Sequence, residues 1–260
     1  MIKNKKANFL IPGLLLTISL TLFLLYANSQ FELRIWGIAL KKNNDLLFDF
    51  KSETKKERPK SITVPLIRKT TIDSTKKRFL LIGDSQIEGL RNPFYDYCIK
   101  NGHELALAMI WYSSTDMTYG NNDTLKNLIA KYNPNHIVFV IGLNQIYQTH
   151  FESSEKSIEN ILKTFDTIPY SWIGPANWTE DKGINSIYSS KIDSGKLFLS
   201  KNLILERAND GRHPSNKACF IWMDSIADWM QNKSVWHIKM NKPDSVLNKR
   251  DFKLLTLTVK

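Results

Sequence analysis

The feature that most constrains the fold is the alternation of short apolar runs with longer polar stretches between residues 79 and 232. Apolar runs of this length suit strands buried in a sheet, and the polar stretches between them are compatible with helices. Such alternation indicates a parallel sheet covered by helices on both faces. We therefore predict an α/β domain whose strands are Phe79–Gly83, Glu104–Trp111, His136–Gly142, Tyr170–Gly174 and Leu197–Asn202.

Two short motifs place reactive side chains at the ends of predicted elements. Ser85 directly follows the first apolar run, at the edge of the sheet where α/β proteins bind ligands. The motif Asp210-Gly211-Arg212-His213 supplies a histidine that can accept the serine's proton and an aspartate that can orient the imidazole. Asn144 follows the third apolar run with an amide that can donate to an oxyanion. Together these residues supply a nucleophile, a base, an orienting acid and an oxyanion donor.

Each of these residues also has a purely structural explanation. Ser85 and Asp84 can cap the following helix, and Asn144 can close a strand as a turn residue. Asp210-Gly211 is a common turn dipeptide. All of these explanations would have to hold together, in an order that also supplies a complete catalytic set. We therefore favour the catalytic interpretation.

The order of these motifs resembles that of the SGNH (GDSL-type) hydrolase family over most of the predicted domain. The matching blocks are Gly-Asp-Ser around Ser85, Gly-x-Asn at Gly142 and Asn144, and Asp-x-x-His at Asp210 and His213. The resemblance implies a flavodoxin-like three-layer α/β/α fold with a mostly parallel five-stranded sheet. It also implies acyl transfer through Ser85, with His213 as general base and Asp210 as its orienting partner.

Two positions depart from the family pattern. The family's second block offers a glycine whose backbone N–H joins the oxyanion hole, whereas this chain has Ser114 there. A backbone N–H survives that change, but the serine adds bulk and restricts φ. The third block continues Asn144-Gln145 where the family has Asn-Asp. We expect the N–H groups of Ser85 and Ser114 and the Asn144 amide to bind the oxyanion.

Residues that follow predicted strands are candidates for the substrate-binding rim. Trp111 and Tyr112 come at the end of the second strand, and Asn177 and Trp178 follow the fourth. Asp84, beside the nucleophile, is grouped with them. Aromatic faces in such places suit sugar rings, although a tryptophan packed on the sheet edge is the commoner arrangement.

The N-terminus predicts where this chemistry takes place. Lys3, Lys5 and Lys6 precede the uncharged stretch Phe9–Tyr26, which is long enough to span a membrane. The lysines favour a cytoplasmic N-terminus, with the rest of the chain periplasmic or extracellular. We favour an uncleaved, single-pass signal anchor that forms a transmembrane helix. The small residues of 27–29 leave cleavage and secretion as the alternative.

The net charge of +11 is unevenly spread. Residues 79–232 hold 13 Lys and Arg against 17 Asp and Glu, whereas residues 41–78 hold 12 against 5 and residues 233–260 hold 7 against 2. A nucleic-acid enzyme concentrates positive charge on its folded domain, so no nucleic-acid partner is expected. The basic flanks suit an anionic surface such as lipid head groups, or equally a solvated linker.

The remaining reactive side chains suggest no bound group. Cys98 and Cys219 lie in different predicted helices, and we expect buried free thiols, although an exported protein allows one disulfide. The five histidines show no zinc-type spacing, so we expect no metal. No phosphate-binding glycine loop or dinucleotide fingerprint occurs, and we expect no cofactor.

These observations predict four segments and one leading function. The segments are an N-terminal anchor in residues 1–30, a basic juxtamembrane linker in 31–78, a catalytic domain in 79–232 and a basic C-terminal extension in 233–260. We expect an exported serine esterase that removes O-acyl groups, in the simplest case O-acetyl groups, from an acylated envelope or extracellular polysaccharide. An O-acyltransferase acting on a cell-envelope glycan, with envelope-biosynthesis partners, uses the same residues and stays open. So does a non-catalytic glycan-binding or scaffold protein of the same fold.

Overall fold

The computed structural model describes residues 71–259, together with Ser19 and two short strands, β1 (Arg34–Ile35) and β2 (Ile38–Ala39), which pair antiparallel. Among these residues, no helix combines the length and the apolar character needed to cross a bilayer. The predicted anchor Phe9–Tyr26 lies outside the described residues except for Ser19, so it stays a prediction.

The described residues from 71 onward contain one six-stranded sheet, which is parallel throughout. Its order is β7-β6-β5-β3-β4-β8, and the first five of these strands in the chain follow the 2-1-3-4-5 order of flavodoxin-like proteins. The strands are β3 (Arg78–Gly83), β4 (Glu104–Tyr112), β5 (His136–Val140), β6 (Tyr170–Ile173), β7 (Leu197–Phe198) and β8 (Leu254–Thr258). The α/β class and the parallel sheet are confirmed. The count of five strands was wrong, because β8 pairs with β4 as a sixth.

Helices cover both faces of the sheet. Those described are α1 (Ile87–Asn101), α2 (Asp116–Gly120), α3 (Thr124–Tyr132), α4 (Glu152–Phe165), α5 (Ile184–Lys191) and α6 (Asn216–Asn232). Phe79 and Leu81 of β3 belong to the core that includes residues of α1 and α6, whereas Leu80 and Ile82 belong to the core that includes residues of the other four helices. Successive side chains of one strand therefore enter two separate cores, which gives three layers.

The crevice of this fold lies at the carboxyl ends of β3 and β5. The chain passes from β3 to β4 on one side and places β5 on the other, and α/β proteins bind ligands at such a switch point. The two backbones approach closely here, because a Cβ atom on Gly83 would lie 1.9 Å from the carbonyl oxygen of Val140. Only glycine fits that position. The residues after Gly83 and Val140 are thus held side by side.

The segment predicted as a C-terminal extension is part of the α/β domain. Besides supplying β8, it carries Arg250, whose guanidinium donates to both carboxylate oxygens of Asp96 in α1 at 2.9 and 2.8 Å. Asp96 is only 3% exposed. The backbone of Asp73 pairs with Ile238. The folded domain therefore extends beyond the predicted bounds of 79–232 on both sides.

The two cysteines lie in helices, Cys98 in α1 and Cys219 in α6. Cys98 and Cys219 are both buried and both free. Burial raises the pKa of Cys219 to about 11, so the thiol stays protonated at neutral pH.

Two histidines near the amino ends of the strands make stability depend on pH. His136 begins β5, is fully buried and lies 2.9 Å from the hydroxyl of Ser171. Burial lowers the pKa of His136 to about 3 and also lowers the pKa of His103. Both rings are therefore neutral in the folded protein, whereas the unfolded chain protonates them near pH 6.5. The contribution of His136 to stability is complete above about pH 6.5 and is lost as the pH falls toward 3, and that of His103 changes in the same direction.

A non-titrating variant measures this effect. We expect the free energy of unfolding of the wild type, relative to His136→Gln, to fall by about 1.4 kcal/mol per pH unit below pH 6. Urea unfolding followed by tryptophan fluorescence gives both values. The raised pKa of Asp84 acts in the opposite direction but is present in both proteins and cancels. A difference that stays constant between about pH 7 and pH 4 would contradict a neutral His136.

Candidate active site

Ser85 lies between β3 and α1, at the carboxyl edge of the sheet. Its Oγ is 2.7 Å from Nε2 of His213. The N-cap residue of α1 is Gln86, whose side chain makes no capping hydrogen bond. The hydroxyl of Ser85 is therefore bound to a histidine from a distant part of the chain and does not cap the helix.

Asp210 holds both the backbone and the imidazole of His213. Its Oδ2 accepts a hydrogen bond from Nδ1 of His213 at 2.5 Å, and its Oδ1 accepts the N–H groups of Arg212 and His213 at 2.9 and 3.0 Å. The chain can turn this tightly because Gly211 adopts a φ of +70°. One carboxylate thus fixes both the backbone conformation of the loop and the orientation of the imidazole ring.

The hydrogen bonds define the protonation of this triad. The bond from His213 lowers the pKa of Asp210 to about 2, so the carboxylate is ionised at neutral pH and can only accept. The Nδ1 of His213 therefore donates to Asp210, and in the neutral tautomer that fits this bond Nε2 is an acceptor. Ser85 donates its hydroxyl proton to that Nε2. This is the arrangement in which the histidine can remove the serine's proton.

The buried side chain of Asp84 connects the loop after β3 with the loop after β5. Its carboxylate accepts the backbone N–H groups of Gln86, Gly142 and Leu143 at 3.0, 3.1 and 3.0 Å. Burial raises the pKa of Asp84 to about 6, so the ionised form prevails at pH 7. The side chain is fully buried and offers no surface to a ligand. Its predicted place in the substrate rim was therefore wrong: Asp84 sets the distance between the two loops.

Asn144 follows β5 and reaches the loop after β4. Its Nδ2 donates to the carbonyl oxygen of Ser114 at 2.8 Å. An amide nitrogen carries two hydrogens, so the second remains available for an oxyanion. The N–H of Ser114 donates to the carbonyl oxygen of Trp111 at 3.2 Å. The predicted oxyanion donation from Ser114 is thus not supplied by this conformation, in which Ser114 instead provides the acceptor that orients Asn144.

Gln145, which directly follows Asn144, joins these two loops by hydrogen bonds. Its Oε1 accepts the N–H of Asp116 at 3.1 Å, and its Nε2 donates to Oδ1 of Asp116 at 3.0 Å and lies 3.1 Å from the Ser154 hydroxyl. Both Gln145 and Asp116 are buried. The hydrogen bonds between Gln145 and Asp116 hold Asn144 beside Ser114. The sequence does not connect Gln145 with Asp116, because their pairing depends on how the two loops meet in the fold.

Two hydrogen-bond donors remain uncommitted in the loops that Asp84 joins. The Ser85 N–H has no acceptor within residues 71–259, and the second amide hydrogen of Asn144 is uncommitted. Ser85 also precedes the amino end of α1, where the helix dipole favours negative charge. The site therefore combines two hydrogen-bond donors with a positive helix end.

A cleft of about 460 Å³ opens at Ser85. Its walls are mostly polar, with Glu88, Arg91 and Asn92 spaced along one face of α1. These residues carry charges or amides where an acyl-chain channel would need apolar side chains. The cleft therefore suits a polar ligand attached to a small acyl group. No group of three or more metal-ligating side chains occurs in the part of the chain that the structure describes.

The four residues that follow strands in the predicted substrate-binding rim lie in three different places in the structure. The hydroxyl of Tyr112 donates to the Glu88 carboxylate at 3.0 Å, at the wall of the Ser85 cleft. Trp111 packs edge-on against a buried tyrosine, with ring centroids 5.2 Å apart, and does not line that cleft. Asn177 and Trp178 line a second cavity instead. The sequence placed all four at strand ends but could not show which cavity each one faces.

Comparisons with known proteins leave the geometry as the basis for assigning a function. No family model matches the chain, and no curated protein matches it. Among solved structures, the chain is similar to a gut microbial diltiazem-metabolizing enzyme, with 16% sequence identity and a TM-score of 0.42. The similarity covers 56% of this chain and 45% of that enzyme, so the chain matches less than half of its length. A likeness of this extent carries no argument about activity.

Proposed function

We propose that this protein is a serine esterase of the SGNH type. The observation that carries the proposal is the continuous chain of hydrogen bonds from Ser85 through His213 to Asp210, with distances of 2.7 and 2.5 Å. A nucleophile, a base and an orienting carboxylate in such contact can be recognised by geometry, whatever their order in the chain. The flanking donors of Ser85 and Asn144 complete the set that acyl transfer requires.

The geometry supports a two-step reaction. His213 Nε2 accepts the hydroxyl proton as Ser85 Oγ attacks the ester carbonyl carbon, and the carbonyl oxygen becomes the oxyanion. As the intermediate collapses, His213 returns the proton to the leaving alcohol, and the acyl group stays on Ser85. Water then attacks the acyl-enzyme and gives its proton to His213. The carboxylic acid leaves and Ser85 regains its proton.

The cleft and the N-terminus support a substrate class and a location. Polar side chains along α1 favour a short acyl group on a hydrophilic alcohol, for which O-acetyl groups on a polysaccharide are the simplest case. The uncharged stretch Phe9–Tyr26 behind three lysines supports a single-pass anchor with the esterase outside the cytoplasm. The substrate would then be an envelope or extracellular glycan.

The nucleophile can be tested directly. A fluorophosphonate probe should label the wild type and leave Ser85→Ala unlabelled, because only a serine activated by a base reacts with such a probe. Ser190→Ala, which removes an exposed serine on α5, should label like the wild type. Release of free acetate from 4-nitrophenyl acetate without any added sugar would support hydrolysis. Equal labelling of the wild type and Ser85→Ala would remove Ser85 from the reaction.

The location has its own test. A reporter that is active only outside the cytoplasm should function when it is fused to the C-terminus, because the lysines before Phe9–Tyr26 hold the N-terminus inside. A cytoplasm-specific reporter at the same site serves as the control. Activity of the cytoplasmic reporter alone would overturn the export proposal and, with it, the envelope substrate.

A further inference from the structure

A second cavity, of about 590 Å³, lies at the carboxyl edge of the sheet. The loop after β6 and the start of α5 form one wall, and residues that follow β7 form the other. Its volume falls within the range of about 300–1,000 Å³ typical of ligand pockets. Its main side chains are Asn177, Trp178, Glu180, Asp181, Lys182, Lys201 and Asn202.

Hydrogen bonds make one wall of this cavity rigid. Asp181 Oδ1 accepts the N–H groups of Gly183 and Asn185 at 3.0 and 3.3 Å. Its Oδ2 accepts the side-chain amides of Asn177 and Asn185, both at 3.0 Å. Burial opposes ionisation of Asp181, but these hydrogen bonds outweigh it and lower the pKa. The carboxylate is thus fully engaged in holding the wall. A preformed wall lowers the entropic cost of binding a ligand.

Contacts between their walls connect the second cavity with the Ser85 cleft. The guanidinium of Arg212 lies over the Trp178 ring, 5.3 Å from its centroid, and Arg212 directly precedes His213. Ala176, two residues before Trp178, accepts hydrogen bonds at its carbonyl from Gln86 and Arg207. The loop that carries Trp178 is therefore tied to both sides of the triad. A ligand of more than one unit can bridge the two cavities across this contact.

The side chains of the second cavity suit an uncharged polar ring. The positive charges of Lys182 and Lys201 are matched by Glu180 and Asp181, so no excess charge favours an anion. The aromatic element is Trp178 with Tyr147, whose rings meet edge-on at 5.5 Å; Tyr147 is 64% exposed. Amides, ammonium groups and an aromatic edge can bind the hydroxyls and the apolar face of a sugar.

We propose that the second cavity binds a neighbouring unit of an uncharged glycan whose ester lies at Ser85. The proposal rests on the proposed function and deepens it: the substrate is a neutral oligomer or polymer that occupies both cavities. The unit in the second cavity contributes binding but does not react. Activity should therefore depend on the number of sugar units, through residues that do not touch the ester.

The test compares two substrates in the full-length protein. We measure kcat/KM for acetylated xylotetraose and for 4-nitrophenyl acetate, and take the ratio. Loss of the Trp178 surface in Trp178→Ala should lower this ratio about tenfold, and Trp178→Phe should restore most of it. Lys201→Ala, on the opposite wall, should lower it in the same direction. Lys163→Ala, an exposed lysine on α4, is the matched control and should keep the wild-type ratio.

Binding measurements separate this proposal from the proposed function. Ser85→Ala cannot turn over, so its binding of unacetylated xylotetraose, followed by NMR, reports on the cavity alone. Loss of that binding in Ser85→Ala/Trp178→Ala supports the subsite even if the wild type proves inactive on esters. Esterase activity without tetraose binding, or with equal ratios in all variants, would overturn the subsite and leave the esterase standing. Tighter binding of tetragalacturonate than of xylotetraose would overturn the preference for a neutral glycan.

Discussion

Replacing His213 by alanine is expected to lower turnover of an activated acetate ester by about 10⁵-fold or more. The reason is that Nε2 of His213 lies 2.7 Å from the Ser85 hydroxyl, and no other titratable side chain contacts that oxygen within the described residues. Asp210→Ala alone should cost about 10⁴-fold, because the imidazole loses its Nδ1 partner and its defined tautomer. Steady-state kinetics on 4-nitrophenyl acetate measures both losses.

The double variant tests whether Asp210 and His213 act as a unit. Asp210 acts on the ester only through His213, so Asp210→Ala/His213→Ala should be scarcely worse than His213→Ala alone. Asn144 donates separately, so adding Asn144→Ala to His213→Ala should lower the residual activity further. Losing one oxyanion donor typically costs about 10²–10³-fold. Fully additive losses for Asp210 and His213 would contradict the triad, and unchanged turnover in Asn144→Ala would remove that amide from the site.

The change Asp84→Asn is expected to reduce both stability and turnover. Two carboxylate oxygens accept three backbone N–H groups, whereas an amide keeps one oxygen and places an NH₂ group against a donor. Leaving buried donors unpaired costs about 1–3 kcal/mol each, so we expect a loss of about 3 kcal/mol in the free energy of unfolding. Because Asp84 spaces Ser85 from Asn144, turnover should also fall by about 10²-fold.

A matched aspartate controls for the change in charge. Asp123→Asn removes an exposed carboxylate that makes no side-chain capping bond at the start of α3. We expect it to leave both the urea-unfolding midpoint and kcat near the wild-type values. Wild-type stability together with wild-type turnover in Asp84→Asn would mean that the three N–H bonds do not set the distance between the loops.

The sequence alone was sufficient to predict the α/β class and to single out Ser85, His213 and Asp210, whose side chains lie in hydrogen-bond contact in the structure. Both depend on local information: the alternation of apolar and polar stretches gives the layers, and Asp-x-x-His lets one short loop carry both the base and its partner. It also located Asn144 at the end of a strand, because the apolar run before it ends abruptly. None of these predictions requires knowledge of contacts between distant residues.

Only the tertiary structure decided how the donors and acceptors pair. A backbone N–H such as that of Ser114 looks available in any sequence, but its partner, here Trp111, depends on the turn that the folded chain adopts. The burial of Asp84 follows from the closeness of β3 and β5, which lie far apart in the chain. The segment 254–258 is short and alternates exposed with half-exposed side chains, so its sequence pattern does not predict which strand it pairs with. In the structure it pairs with β4. Sequence patterns determine which residues form strands and helices, whereas long-range contacts determine which polar groups remain free for chemistry.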